Sequence, residues 1–117
     1  TDVLMEQIGS RIEFYMAENE NQVIGYFSIE ITEADKMKLH KIYLHPMQKS
    51  KGAGSKIIDF IKQLAIQKNV QKIELNVNKL NSAVQFYEKK GFLRAKEMVL
   101  DIGNGYVMDD YVMQLSL

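Results

Sequence analysis

Apolar and polar positions alternate with period two over residues 12–17. Ile12, Phe14 and Met16 interleave with Glu13, Tyr15 and Ala17, which predicts a β-strand. The polar run Glu18-Asn19-Glu20-Asn21 then reads as a turn. Residues 23–31, β-branched and aromatic, form a second strand in a hairpin with the first. Gly25 inside that strand signals a close approach by another group, or a bulge. In the next strand the alternation slips. Met37 and Leu39 place apolar side chains on odd positions, whereas Ile42 and Leu44 place them on even ones. A change of parity near His40-Lys41 is the signature of a β-bulge, which leaves main-chain groups unpaired and available to a ligand.

Pro46 ends that strand. After a glycine-rich turn, Ile57, Phe60, Ile61 and Leu64 follow the i, i+3, i+4, i+7 spacing of an amphipathic helix over residues 55–68, with Asn69 as its stop. Ile73, Leu75 and Val77 alternate with Glu74, Asn76 and Asn78 in a further strand, whose polar face can meet a ligand or water. Asn81 is placed to cap a short helix running to Lys90, and Gly91 suits its left-handed C-terminal position. Residues 93–102 and 106–115 read as two last strands joined by a Gly103-Asn104-Gly105 hairpin turn. The strand before the first helix and the one after it belong to one βαβ unit, so they are expected to be parallel neighbours in a mixed sheet.

With 117 residues, no repeats and no internal linker, the chain is expected to be a single domain over 1–117. Fifteen basic residues balance fifteen acidic ones, which argues against a general nucleic-acid or membrane-surface binder. The absence of cysteine excludes disulfides and a thiol nucleophile and fits a cytoplasmic location. No apolar run is long enough to span a bilayer. The sequence opens on Thr1 and not Met, as a processed, trimmed or partial chain would.

The segment richest in chemistry is Lys49-Ser50-Lys51-Gly52-Ala53-Gly54-Ser55. A glycine-rich turn between a strand and a helix start can aim several N–H groups at one anion, and the helix adds its positive dipole end. The lysines add local charge. The spacing is not that of a nucleoside-triphosphate P-loop. Nor is it a dinucleotide fingerprint, because the third glycine position holds Ile57. His40 and His45 are the only histidines, five apart on one strand, so no metal site is expected.

Two stretches resemble one family. The run Lys38-Leu39-His40-Lys41-Ile42-Tyr43-Leu44-His45-Pro46, followed by Lys49-x-x-Gly52-x-Gly54, resembles the acetyl-CoA-binding segment of GNAT N-acetyltransferases, whose loop reads Q/R-x-x-G-x-G/A. The later run from Asn81-Ser82-Ala83-Val84 through Gln85-Phe86-Tyr87-Glu88 to Lys89-Lys90-Gly91-Phe92 is similar to that family's second cofactor motif. The resemblance implies an α/β fold with a mixed, splayed sheet and flanking helices, here lacking the usual N-terminal strand and helices. It implies acyl transfer from acetyl-CoA to a primary amine, on a small molecule or a peptide, by direct attack. Main-chain groups of Ile42, Tyr43 and Leu44 would bind pantetheine. Those of Lys49, Ser50, Lys51, Gly52, Ala53, Gly54 and Ser55 would hold the pyrophosphate. Asn81 and Phe86 would contact the cofactor, and Tyr87 would lie near the sulfur, where a phenol can protonate the leaving thiolate. The oxyanion would meet a main-chain N–H near the bulge, that of Leu44.

The general base stays open. Some members carry a glutamate where this chain has Asn76; Glu74 on the same face, His40 near the bulge, the weaker Glu30, or ordered water would replace it. Lys49 departs from the family's glutamine or arginine, and still pairs with phosphate as a point charge. Simpler roles stand beside each assignment: Tyr87 as a core residue, Asn81 as a helix cap, His40 as a polar strand residue, Lys89 and Lys90 as a solvated helix end. Met108-Asp109-Asp110-Tyr111 reads as a solvated hairpin or as an acidic pocket for a cationic amine. A non-catalytic acyl-CoA-binding module or sensor is the alternative to an enzyme, with a generic phosphate-binding α/β fold behind it. The strand ends would allow a homodimer, and the acceptor cannot be read from these residues.

Overall fold

The computed structural model describes residues 2–8, 12–20, 22–33, 35–45 and 52–117, with side chains from residue 12 onward. Among the described residues seven strands and two helices follow in the order β1 (Asp2–Ile8), β2 (Ile12–Asn19), β3 (Gln22–Glu33), β4 (Lys36–Leu44), α1 (Ala53–Gln67), β5 (Lys72–Asn78), α2 (Ala83–Lys89), β6 (Leu93–Gly103) and β7 (Tyr106–Ser116). They form one mixed sheet in the order β1-β2-β3-β4-β5-β7-β6. β1 to β4 make an antiparallel meander, β5 joins β4 in parallel, and β7 and β6 continue antiparallel.

One expectation is corrected. The chain does carry an N-terminal strand: β1 pairs with β2 from Asp2↔Glu18 to Ile8↔Ile12. Its run Val3-Leu4-Met5 has no alternation, so the period-two signal of a half-buried strand is missing there. Residues 9–11 separate β1 from β2 in the sequence.

The parity change in β4 is a bulge, as the sequence predicts. Ser28 pairs with Lys41 and the next residue, Ile29, pairs with Leu39, leaving His40 as the extra residue of β4. Gly25 has the predicted close approach: a Cβ there would lie 2.5 Å from the Tyr43 carbonyl oxygen. The hairpin turn also follows the sequence. Asn104 and Gly105 have φ of 55° and 78°, the paired left-handed conformations of a type I′ turn.

The core occupies one side of the sheet. Tyr15, Phe27, Ile29, Met37, Leu39, Ile73, Leu75, Val77, Met113 and Leu115 point to it, and α1 covers them with Ile57, Ile58, Ile61 and Ala65. α2 adds Val84 and Tyr87 on the same side. The alternate positions, among them Phe14, Tyr26, Ser28, Lys38, Glu74, Asn76 and Gln114, face the other way, where no helix lies among the described residues. Phe14, Tyr26 and Tyr43 form a ring ladder across three strands of this open face, with centroids 5.4 and 5.2 Å apart.

Candidate active site

β4 and β5 pair only from Lys36↔Lys72 to Leu39↔Leu75. Beyond that point β4 runs on to Leu44 and β5 to Asn78 without pairing to each other, and β5 keeps its ladder with β7 up to Asn78↔Asp110. The separation begins at the His40 bulge. A bulge bends its strand and raises its twist, which turns the end of β4 away from β5. The result is a cleft of about 780 Å³ with unpaired main-chain groups on one wall.

That wall is Ile42, Tyr43 and Leu44, with His40 and Lys41 below them. Asn76, Val77 and Asn78 form the opposite wall. The start of α1 closes one end through Gly52, Gly54 and Ser55, and α2 contributes Asn81, Ser82, Ala83, Phe86 and Tyr87. Gly52 caps α1 with φ 77°, a left-handed conformation that favours glycine, and its carbonyl accepts the first helical bond from Lys56 N–H. The N–H groups of the first turn have no intrahelical acceptor, so they are free to bind an anion. Phe86 lies beside Gly54, where a Cβ would meet its ring at 3.4 Å.

Most predicted site residues therefore share this cleft. Ala53 is an exception: its side chain is buried in the core. Lys49, Ser50 and Lys51 lie outside the described residues. Asn81 stands one residue before the N-cap of α2, Ser82, where its Oδ1 accepts the Ala83 N–H at 2.9 Å, and it lines the cleft as well.

Tyr87 is 5 % exposed, and its ring packs edge-on against Phe86 and Phe92. Burial pushes its phenol up to about 12, so it holds its proton through the neutral range. His40 reaches across the open face to Glu30, with Nε2 2.7 Å from Oε1. A carboxylate there fixes the ring, and with Nε2 donating to Glu30 the Nδ1 atom is left as an acceptor. Tyr87 thus approaches the cleft from the helix-covered side, and His40 from the open side.

Glu74 does not line the cleft. Gln114 Nε2 donates to it at 2.8 Å, and the ammonium groups of Lys36 and Lys38 lie 3.4 and 3.5 Å away. Burial raises its carboxyl, but the Gln114 hydrogen bond and the two lysines outweigh that and hold it below the usual carboxylate value. Lys38 also donates to Asn76 Oδ1.

Two contributions escape a reading of the sequence, and a third, Asp110, belongs to the run 108–111 already read as a solvated hairpin or an acidic pocket. Tyr26 lines the cleft from β3, and its alternation with Phe27 was the only hint. Lys90, at the end of α2, donates to Ser55 Oγ at 2.8 Å and to Asp59 Oδ1 at 2.7 Å, tying α2 to the first turns of α1. Asp110 stands opposite Asn78 on the open face. Among the described residues no cluster of three or more potential metal ligands occurs, and no helix is long and apolar enough to cross a membrane.

A splayed parallel strand pair, a glycine-capped helix start at the opening and a buried tyrosine beside it together make up this cleft. The profile of the acetyltransferase (GNAT) domain matches residues 1–114, and the chain belongs to that family of acyltransferases. Solved structures agree in fold. A GNAT family acetyltransferase from Elizabethkingia anophelis with acetyl-CoA bound superposes with a TM-score of 0.84 at 14 % identity, covering 99 % of this chain and 97 % of that one. The PaiA N-acetyltransferase from Thermoplasma acidophilum, in complex with coenzyme A, gives 0.74 at 24 % identity, covering 92 % of this chain and 62 % of that one. IAA acetyltransferase from Bacillus cereus gives 0.77 at 24 %, covering 92 % and 79 %. No curated protein sequence matches the chain.

Proposed function

We propose that this domain transfers the acetyl group of acetyl-CoA to a primary amine by direct attack in a ternary complex. The observation that carries this reading is the splay of β4 from β5 beyond Leu39↔Leu75, flanked by Tyr87 on one side and the His40–Glu30 pair on the other. Pantetheine lies along Ile42, Tyr43 and Leu44 and completes the broken ladder with its amides. Main-chain N–H groups of Gly52, Ala53, Gly54 and Ser55 hold the pyrophosphate, with Lys49, Ser50 and Lys51 preceding them. Asn81 and Phe86 border the cofactor from α2.

The amine enters from the open face. His40, oriented by Glu30, takes a proton from the ammonium on Nδ1, and the neutral nitrogen attacks the thioester carbonyl carbon. A main-chain N–H of β4, that of Leu44, stabilises the oxyanion. The carbon–sulfur bond then breaks, Tyr87 protonates the departing thiolate, and the surplus proton on the acylated nitrogen passes through water to the Tyr87 phenolate, leaving a neutral amide. His40 is preferred to Glu74 as base because it lines the cleft and has a free ring nitrogen, whereas Glu74 is engaged by three partners.

The test is thiol release from acetyl-CoA over a panel of amines, beside calorimetric titration with coenzyme A. Binding together with amine-dependent release supports the proposal. Tight binding with no release for any amine would reassign the domain as an acyl-CoA-binding module, and absence of binding would sink both readings.

A further inference from the structure

Asp110 is only 7 % exposed, yet among the described residues its carboxylate has no hydrogen-bond or ion-pair partner. Its neighbour Asp109 faces the other side of β7, with Lys79 Nζ 2.9 Å away. Asp110 pairs with Asn78 across the β5–β7 ladder, so the two side chains share the open face, and Asn78 lines the cleft. The other acids lining this part of the face are committed: Glu30 to His40, and Glu74 to Lys36, Lys38 and Gln114. The bases are no better placed to neutralise Asp110. Lys38 is spent on Glu74 and Asn76, and Lys96, opposite Val112, makes no ion pair with it. A carboxylate on a residue only 7 % exposed, with no counter-charge of its own, is a ready receptor for the positive group of a ligand.

We propose that Asp110 is a cation subsite for the acceptor, holding a second positively charged group of a substrate whose reacting nitrogen sits beside His40. The inference rests on acyl transfer at the splay. From β4 across β5 to β7 is two strand spacings, about 10 Å or more. The substrate class is therefore an extended diamine of about that reach, and not a monoamine.

Diaminooctane and octylamine are a matched pair that differ in the second cation. With acetyl-CoA, the wild-type protein is expected to give a kcat/KM at least tenfold higher for the diamine. Asp110→Asn is expected to bring the ratio to within twofold, with the coenzyme A-induced rise in Tm retained as the check on folding. A binding arm needs no turnover: with coenzyme A present, diaminooctane raises Tm of the wild type and not of Asp110→Asn. Equal kcat/KM for the two amines, an unchanged ratio in the variant, or equal Tm shifts in both proteins overturns the subsite. If neither amine releases thiol, the transfer reading fails while the Tm comparison still decides the subsite. Should Asp110→Asn not fold, Asp110→Glu extends the same charge by one methylene and is expected to move the preference toward diaminohexane; an unmoved preference overturns the proposal.

Discussion

His40 Nε2 and Glu30 Oε1 lie 2.7 Å apart, and His40 is the very residue that β4 inserts where its register against β3 shifts. A regular strand would have sent the side chains after Leu39 to the opposite faces. The bulge therefore does two things at once: it parts β4 from β5, and it sets an imidazole at the seam with a carboxylate behind it. If the imidazole is the base, His40→Ala lowers kcat by about a hundredfold or more while coenzyme A affinity changes little. Glu30→Gln keeps the ring but loses the charged anchor, and a smaller loss, about tenfold, is expected. Steady-state kinetics beside calorimetry separates the two. An undiminished kcat in His40→Ala would return deprotonation to ordered water.

Glu74 provides the contrast. Its carboxylate braces β4, β5 and β7 through Lys36, Lys38 and Gln114, three strands held by one side chain. Glu74→Gln should leave kcat within about twofold and cost roughly 1–3 kcal/mol of stability, the usual worth of hydrogen bonds to a charged group. The folded carboxyl is held below its ordinary value of 4.5, so its stabilisation is present above that value and fades as pH falls through the folded one. Urea denaturation from neutral to acid pH should show this loss in the wild type and not in Glu74→Gln.

The sequence exposes the bulge because parity is a local property: Leu39 and Ile42 cannot face the same core in a regular strand. The glycine cap and Asn81 are legible for the same reason, since each acts within a few residues of itself. Glu74 is not legible in this way. Alternation places it on the face of Asn76, but whether it meets substrate or Gln114 depends on the register of a strand forty residues later. Lys90 likewise acts on a partner fixed only by tertiary pairing, Ser55, and the register that sets Asp110 across from Asn78 is equally remote in sequence. β1 escapes because Val3-Leu4-Met5 gives neither period, and only its ladder with β2 makes it a strand.

Two glycines make opposite predictions about space and backbone. At Gly25 a Cβ would sit 2.5 Å from the Tyr43 carbonyl oxygen and 3.3 Å from the Leu44 Cα, both main chain. Gly25→Ala must push β4 outward, at a cost of about 1–3 kcal/mol. Because Tyr43 and Leu44 form a wall of the cleft, coenzyme A affinity is expected to fall with it. At Gly52 a Cβ meets nothing, but φ is +77°, so Gly52→Ala pays about 1–2 kcal/mol of backbone strain. Asn at position 52 should recover part of that loss and Asn at position 25 none, as chemical denaturation of the four variants would show.

Tyr87 allows activity and stability to be read on one pH axis. Its hydroxyl has no hydrogen-bond partner among the described residues, so Tyr87→Phe should leave neutral-pH stability within about 1 kcal/mol of wild type. As the acid for the thiolate, however, its loss should lower kcat about a hundredfold or more. Burial lifts the phenol from 10.0 to about 12, and the two values set the window. Below pH 10 both folded and unfolded chains keep the proton. Between 10 and 12 the unfolded chain releases it first, so the folded state loses roughly 2–3 kcal/mol from this group as pH rises. Denaturation curves should therefore fall more steeply for wild type than for Tyr87→Phe across that interval. Turnover, which needs the protonated phenol, should persist past the point where an exposed tyrosine would ionise. A wild-type rate that collapses near pH 10, with its stability tracking that of Tyr87→Phe, would remove the buried phenol from the mechanism.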